Sequence, residues 1–143
     1  MEILCNRTHD MNKQEKYKQA NEAFLQEKKK EEGVKELAGG VLYEIIETGS
    51  GTTSPNSRSV VTFHYTGELY NGNVFDDSRQ RGCPEACRVR DLIEGFQTAL
   101  MNMHKGDRWI VYIPWQKGYG KTKCDDIPGY STLVFDLELV SIN

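Results

Sequence analysis

The chain has 143 residues and a formal net charge of −3, with 27% charged and 38% hydrophobic residues. This length fits one domain with an appendage, since a domain of about 100 residues can bury a core unaided. No run approaches the roughly 20 apolar residues of a membrane-spanning helix, so no membrane span is expected. Residues 1–10 lack the apolar stretch of a signal peptide. The acidic balance argues against a nucleic-acid partner, which would require a basic face.

Residues 12–32 are predicted to form a helix. The segment is rich in Lys, Glu, Gln and Ala, which are good helix formers. Asn12 with Glu15 has the spacing of a capping box at the start, and Gly33 suits the position just past the end.

The apolar residues of this helix form a narrow stripe of Tyr17, Ala20, Phe24 and Leu25. Three interpretations stay open. The stripe packs on its own domain, or it forms a homodimer through the helix, or the helix is a spacer. Because most of the helix surface is charged, we expect a chain beginning at Val34 to fold without it.

The rest of the sequence alternates between strand signals and turns, with one short helical pattern whose buried face includes Phe96. The two longest loops, at 78–88 and 114–131, are expected to build the functional site. The sum predicts an α+β fold, in which an antiparallel sheet carries one short helix across its apolar face. In order, the predicted elements are a strand at 41–47, a hairpin from residue 60, the loop at 78–88 with Val89 closing a short strand, a helix at 92–103, and strands at 109–113 and 133–139.

The hairpin places Val61, Phe63 and Tyr65 on one strand face, with His64 on the other. Asn71-Gly72 is predicted to form a two-residue turn in which both residues have positive φ. The returning strand brings Phe75 to the apolar face and Asp76 beside it. We expect the rings of Tyr65 and Phe75 to converge with those of Phe96 and Phe135 between the helix and the sheet, although an aromatic residue at such a position is more often simply core.

Several spaced motifs together resemble the FKBP-type peptidyl-prolyl isomerases, the macrolide-binding immunophilins. The resemblance covers residues 34–143 and implies a twisted sheet wrapped on one short α-helix. Residues 21–35 are similar to the segment before the catalytic domain in exported bacterial FKBPs with an N-terminal helical extension, which implies a division into 1–33 and 34–143. The motifs are Tyr65-Thr66-Gly67, Phe75-Asp76, Leu92-Ile93-x-Gly95, Gly118-Tyr119-Gly120 and Thr132-Leu133-Val134-Phe135-Asp136.

The resemblance implies a proline-sized pocket that needs no cofactor and no metal. Its substrate would be a proline-containing peptide or an unfolded protein, and a macrolide could occupy the same place. The N–H of Ile93 and the hydroxyl of Tyr119 would bind substrate carbonyls, and Phe96 would form the floor. The walls would be Tyr65, Phe75 and Phe135, and the further substrate-binding residues would be Leu92, Arg81, Ile127 and Trp109.

Asp76 has two interpretations. It pairs with Arg81 to fix the loop, or it orients Tyr65 and sets the electric field at the substrate amide, and both roles are compatible. His64 faces the opposite side of the strand, which argues against a catalytic histidine.

The sequence departs from the FKBP pattern at the rim of the expected pocket. Glu85 follows Pro84 where an aromatic residue is usual, Cys87 replaces a second aromatic, and Asp126 replaces an apolar residue. These changes predict modest isomerase activity that assists protein folding. The alternative is a non-catalytic peptide-binding or chaperone module that keeps the fold.

The four cysteines, Cys5, Cys83, Cys87 and Cys124, match no common zinc-binding spacing. They are either unpaired thiols or, in an exported protein, partners in a disulfide. The resemblance favours the periplasm or cell envelope as the compartment, with the cytoplasm as the alternative.

Overall fold

The computed structural model describes residues 12–143. Three α-helices and seven β-strands make up the fold in this range. The helices are α1 (Lys13–Lys29), α2 (Ser78–Arg81) and α3 (Glu94–Leu100). The strands are β1 (Lys35–Glu36), β2 (Leu42–Glu47), β3 (Val60–Leu69), β4 (Val74–Asp77), β5 (Glu85–Arg88), β6 (Arg108–Ile113) and β7 (Leu133–Ile142).

All seven strands join one sheet with the order β1-β2-β6-β7-β3-β4, and β5 also pairs with β3. Every pairing is antiparallel. The predicted α+β fold, an antiparallel sheet with one short helix and a preceding N-terminal helix, is confirmed.

The two faces of the sheet follow from the period-two alternation of its strands. One face of β6 and β7 presents residues such as Val111, Phe135 and Leu137, which form the main core together with Phe96 and Leu100 of α3. The other face presents the smaller cluster of Leu42, Tyr112 and Val134. The sheet therefore has a helix on each side, α3 on one and α1 on the other.

Helix α1 packs on its own sheet, which was one of the interpretations left open by the sequence. Phe24 and Leu25 pack against the outer cluster, and the Phe24 ring lies 6.2 Å from the Tyr112 ring. The stripe contains a polar residue that the sequence pattern did not indicate. Asn21 is completely buried.

The ends of α1 differ from the prediction only at the C-terminus. Asn12 caps the helix as predicted, and its side chain accepts a hydrogen bond from the Glu15 N–H at 2.8 Å. The helix ends at Lys29, before the predicted residue 32. Gly33 has a φ of 88°, but it serves the following turn, in which the Val34 N–H donates to the Glu31 carbonyl.

The turn after β3 differs from the predicted two-residue turn. Only Gly72 has a positive φ, of 89°, whereas Asn71 does not. The Gly72 N–H donates to the Leu69 carbonyl, and the Leu69 N–H donates to the Asn73 carbonyl, each at 2.9 Å. This is the three-residue loop in which a turn is followed by a left-handed glycine. Asn-Gly therefore predicted the hairpin correctly but its turn type wrongly.

The segment 78–88 is more regular than predicted, and helix α3 is shorter than predicted. Residues 78–88 contain helix α2 and strand β5, because Asp77 caps α2 and β3 offers a free edge to β5. Helix α3 spans Glu94–Leu100 rather than 92–103, with Ile93 as its N-cap.

None of the helices within residues 12–143 has the length and apolar composition to cross a bilayer. Cys5 and the predictions for residues 1–10 lie outside the described residues.

Candidate active site

A cavity of about 480 Å³ opens between the concave face of the sheet and the start of α3. Its wall combines residues from β3, β4, β7, α3 and the long loop between β6 and β7, residues 114–132, here called the β6–β7 loop. Most of the predicted site residues line it, namely Tyr65, Phe75, Asp76, Leu92, Ile93, Phe96, Tyr119, Ile127 and Phe135.

The bottom of the cavity is a cluster of aromatic rings. Phe96 is nearly buried, and its ring centroid lies 4.4 Å from that of Phe135. Tyr65 meets both rings at 5.9 Å in edge-on arrangements, and Phe75 meets Phe135 at 5.7 Å. Phe63 also belongs to this floor, with its ring 5.6 Å from Phe96. The sequence placed Phe63 on the correct strand face, but it was not assigned to the site.

Gly67 makes this cluster possible. A Cβ atom at residue 67 would lie 2.7 Å from atoms of both the Phe135 and Phe75 rings, which is closer than atoms can approach. The absence of a side chain here therefore allows two rings to meet over strand β3.

A hydrogen-bonded group of three side chains lies at one edge of the cavity. The Tyr65 hydroxyl donates to Asp76, and Asp76 also forms an ion pair with Arg81. Burial, followed by the hydrogen bond with Asp76, raises the pKa of Tyr65 to about 12, so its hydroxyl stays protonated. Both interpretations of Asp76 are thus compatible with its contacts. Arg81 lies beside the cavity, with its guanidinium 5.9 Å from the Tyr65 ring centroid.

Two hydrogen-bond donors at the cavity are unused within residues 12–143. The Ile93 N–H donates no hydrogen bond there, since it precedes the first turn of α3. The Tyr119 hydroxyl likewise has no partner among the described side chains, and 40% of the residue is exposed. Burial raises the pKa of Tyr119, so its hydroxyl is a donor at neutral pH. Both groups are free to bind a ligand carbonyl.

The rim of the cavity is acidic. Arg81 neutralises Glu85 through a contact of 2.8 Å. Two other basic residues, Arg88 and Lys123, lie close in sequence to Glu85 and Asp126, but neither forms an ion pair within residues 12–143. The carboxylates that line the cavity are Asp76, Glu85, Asp91, Asp125 and Asp126.

Trp109 is a predicted site residue that the structure places elsewhere. Its ring stacks on Tyr43 with centroids 4.2 Å apart, and it is nearly buried in the core. The alternation of β6 puts Trp109 on the same face as the cavity but too far along the strand to line it. The assignment of Trp109 to substrate binding was therefore wrong. His64 lies away from the cavity, within hydrogen-bond distance of the buried Ser78 hydroxyl at 2.9 Å.

Two of the cysteines belong to the cavity wall. Cys87 and Cys124 line it, whereas Cys83 is exposed outside it, and none of the three forms a disulfide within residues 12–143. Burial raises the pKa of Cys87, and the nearby Glu85 and Asp91 raise it further. Within the described part of the chain, no group of three or more His, Cys, Asp or Glu side chains is arranged to hold a metal ion.

Comparison with known proteins decides the family. The family model of the FKBP-type peptidyl-prolyl cis-trans isomerases matches residues 51–140. The chain belongs to this family. A second model, of the domain amino terminal to FKBP-type peptidyl-prolyl isomerases, matches residues 4–45. The predicted resemblance to bacterial FKBPs with an N-terminal domain is thus confirmed.

Individual FKBP relatives agree with this assignment. The chain is 40% identical over 126 residues to the Macrophage infectivity potentiator of Trypanosoma cruzi, covering 87% of this chain and 64% of that protein. It is 34% identical over 143 residues to the Outer membrane protein MIP of Legionella longbeachae, covering 99% of this chain and 61% of that protein. The chain therefore spans less than two thirds of the length of either relative.

A solved structure of a peptidyl-prolyl cis-trans isomerase matches over nearly the whole length of both chains. The peptidyl-prolyl cis-trans isomerase of Pseudomonas syringae pv. tomato superposes with a TM-score of 0.84 at 34% sequence identity. The match covers 93% of this chain and 98% of that one. The matched share of this chain is larger than the part matched by the family model, residues 51–140.

Proposed function

We propose that this FKBP catalyses the cis/trans isomerisation of X-Pro bonds in unfolded or extended protein segments, and so assists their folding. One observation carries the proposal. A floor of packed rings, Phe96, Tyr65 and Phe135, lies beside two unused donors, the Ile93 N–H and the Tyr119 hydroxyl. The rings offer an apolar surface for a proline ring, and the two donors can form hydrogen bonds with the carbonyl groups on either side of it.

The reaction requires no covalent chemistry. The planar amide must lose its resonance, which gives a barrier of about 20 kcal/mol. The twisted amide is less dipolar than the planar one, so an apolar cavity favours it over the ground state. Hydrogen bonds from Ile93 and Tyr119 would hold the flanking peptide while the amide rotates within the ring cluster.

Asp76 contributes through position and charge rather than by proton transfer. Its carboxylate accepts a hydrogen bond from the Tyr65 hydroxyl and forms an ion pair with Arg81. These contacts hold the Tyr65 ring in place at the floor of the cavity. Because Tyr65 remains protonated at neutral pH, it serves as a fixed donor and not as a base.

A non-catalytic peptide-binding or chaperone module is the second candidate, and the acidic rim favours it. Glu85 and Asp126 line the cavity where the family pattern has apolar residues. A protease-coupled peptide isomerisation assay separates the two functions, run beside an aggregation-suppression assay with a reduced client protein. We expect catalysis by the wild type, and a large loss with Phe96→Ala or Tyr119→Phe. Suppression of aggregation without any acceleration of isomerisation would establish the binding module.

We also propose that a macrolide occupies the same cavity and that the protein acts in the periplasm or cell envelope. Support for the compartment comes from the relative named as an outer membrane protein. Inhibition of the isomerase by a macrolide tests the first proposal. Fractionation of cells that express the full gene tests the second, and recovery of the protein in the cytoplasm would contradict it. A homodimer through α1 remains a prediction for analytical ultracentrifugation. The division of the chain after Gly33 is likewise our proposal.

A further inference from the structure

The β6–β7 loop carries Tyr119 and Ile127 into the cavity, but its base is held from the other side of the sheet. There it contacts α1, which does not line the cavity at all. The contacts between α1 and the loop join residues that lie far apart in the sequence, from 93 positions for Glu22 and Trp115 to 114 for Tyr17 and Ser131. They are made largely by polar groups, including the hydroxyl of Tyr17 from the stripe.

Asn21 is the central contact. It is completely buried, and its side-chain carbonyl accepts the Thr132 N–H at 2.7 Å. Its amide group donates to the Tyr17 carbonyl at 2.7 Å, so both ends of the side chain are used. The Thr132 hydroxyl donates in return to the Asn21 backbone carbonyl at 3.2 Å. Asn21 therefore satisfies a buried backbone donor that no strand neighbour reaches.

Tyr17 makes a second connection, which runs towards the cavity. The Ser131 hydroxyl donates to the Pro128 carbonyl at 2.7 Å, which uses its single proton. The Tyr17 hydroxyl, 2.7 Å from the Ser131 oxygen, is therefore the donor in that pair. Pro128 directly follows Ile127, so this chain of hydrogen bonds ends next to a residue of the cavity wall.

Aromatic contacts complete the attachment at Tyr130. This residue has a φ of 66°, a conformation that is unusual for a bulky side chain and needs support from its surroundings. Its ring packs edge-on against Trp115 at 4.9 Å, and the Lys18 ammonium lies 5.3 Å from the ring centroid. The Trp115 N–H donates to Glu22 at 3.2 Å. Helix α1 thus contacts both ends of the loop.

We propose that Asn21 and Tyr17 are positioning residues that fix the β6–β7 loop for substrate binding. Helix α1 thereby influences the affinity of the cavity for its peptide substrate, although the helix does not line the cavity. This inference rests on the proposed isomerase function for its effect on catalysis, but not for its effect on the loop. The competing view is that α1 only covers the outer face of the sheet. In that case any loss of helix packing would have the same consequence as the loss of Asn21.

The full-length protein tests this with three variants. Asn21→Ala removes the buried contact, and Tyr17→Phe removes a single hydroxyl while keeping the ring. Phe24→Leu is the matched control, because Phe24 packs on Tyr70 and Tyr112 and not on the loop. Each variant is measured at the same number of degrees below its own Tm. Differences in overall stability between the variants are thereby removed from the comparison.

Amide hydrogen exchange reads the loop directly and needs no activity. We expect exchange at Ile127 and Tyr130 to become about tenfold faster in Asn21→Ala, with a smaller increase in Tyr17→Phe. Exchange at Leu139, whose N–H bonds to the Asp107 carbonyl far from the loop, should not change. Unchanged exchange at Ile127 and Tyr130 in both variants would overturn the proposal, as would an equal increase in Phe24→Leu.

Peptide kinetics then show whether the loop matters for substrate. We expect KM to rise about three- to tenfold in Asn21→Ala with kcat altered less than about twofold. Phe24→Leu should leave KM unchanged, and an equal rise there would overturn the proposal. If Asn21→Ala does not fold, Tyr17→Phe alone decides through both measurements. A wild type without isomerase activity would refute the proposed function, while hydrogen exchange would still decide whether α1 holds the loop.

Discussion

The ring of Phe96 lies 4.4 Å from the ring of Phe135, with an angle of 50° between their planes. Phe96 comes from a short helix and Phe135 from the central strand β7, so this contact joins the two sides of the cavity. Both residues are nearly buried and belong to the main core. The floor of the site and the core of the domain are therefore the same structure, and changes to one affect the other.

Phe135→Ala should lower the free energy of unfolding by about 3–5 kcal/mol, because it leaves a ring-sized void in the core. Isomerase activity should fall with it, since the cavity loses a wall. Urea unfolding and peptide isomerisation measure the two effects. Full activity in a destabilised Phe135→Ala protein would contradict the assignment of this ring to the site.

Tyr65→Phe should reduce kcat/KM several-fold, equivalent to about 1 kcal/mol, since it removes the hydrogen bond to Asp76 while keeping the ring. The pKa of Tyr65, raised to about 12, also predicts the pH dependence. A raised pKa favours the neutral hydroxyl, so deprotonation of Tyr65 begins only in strong alkali. The wild-type profile should therefore stay flat from about pH 6 to pH 9 as far as this group is concerned. A decline near pH 10 that Tyr65→Phe abolishes would show an ordinary tyrosine pKa instead.

The acidic rim should favour substrates with Lys or Arg beside the X-Pro bond over those with Glu. Each rim carboxylate is solvated and should contribute at most about 1 kcal/mol to a bound charge. Because Arg81 already pairs with Glu85, Asp126→Asn should reduce the preference more than Glu85→Gln. The ratio of kcat/KM for matched Lys and Glu peptides measures the effect, which should shrink as salt rises. Equal rates at low ionic strength would show that the rim charges play no part in selectivity.

A bound proline-containing peptide should protect Cys87 and Cys124 from alkylation, because both thiols line the cavity. Cys83 is exposed outside it and serves as the internal control. The raised pKa of Cys87 means that its thiolate is scarcer than usual at neutral pH, so its alkylation should be slow there and become faster as the pH rises. Mass spectrometry of the labelled peptides measures all three sites. Equal protection of Cys83 would indicate a global effect of the peptide instead.

A chain that begins at Val34 should fold but lose stability, by about 2–4 kcal/mol, because it exposes the outer cluster around Tyr112 and leaves the Thr132 N–H without its partner. Its KM should also rise. Thermal unfolding and peptide kinetics, each compared with the full chain, measure the two losses. A truncated chain as stable and as active as the full one would show that α1 is a separable appendage, as its narrow stripe first indicated.

The sequence predicted most of the sheet and the floor of the site, because period-two alternation and family motifs both specify side-chain direction. It failed where contacts are long-range or depend on side-chain polarity. Asn21 has no apolar signal, and its role appears only once Thr132 lies beside it. Trp109 has the correct alternation but the wrong position along β6, which periodicity alone cannot fix. Strand β5 was missed because it depends on the free edge of β3, a property of the assembled sheet.

The bond between Asn21 and Thr132 spans 111 positions of the chain. During synthesis α1 emerges from the ribosome before most of the sheet. Thr132, the partner of Asn21, is made only just before strand β7. Asn21 therefore stays without this partner while the intervening strands pair, and a contact between residues so far apart in the sequence forms slowly. On our proposal that Asn21 fixes the loop, the cavity wall that contains Ile127 becomes rigid only after this late contact has formed. The same proposal predicts that a nascent chain binds a proline-containing peptide tightly only when its own folding is nearly complete.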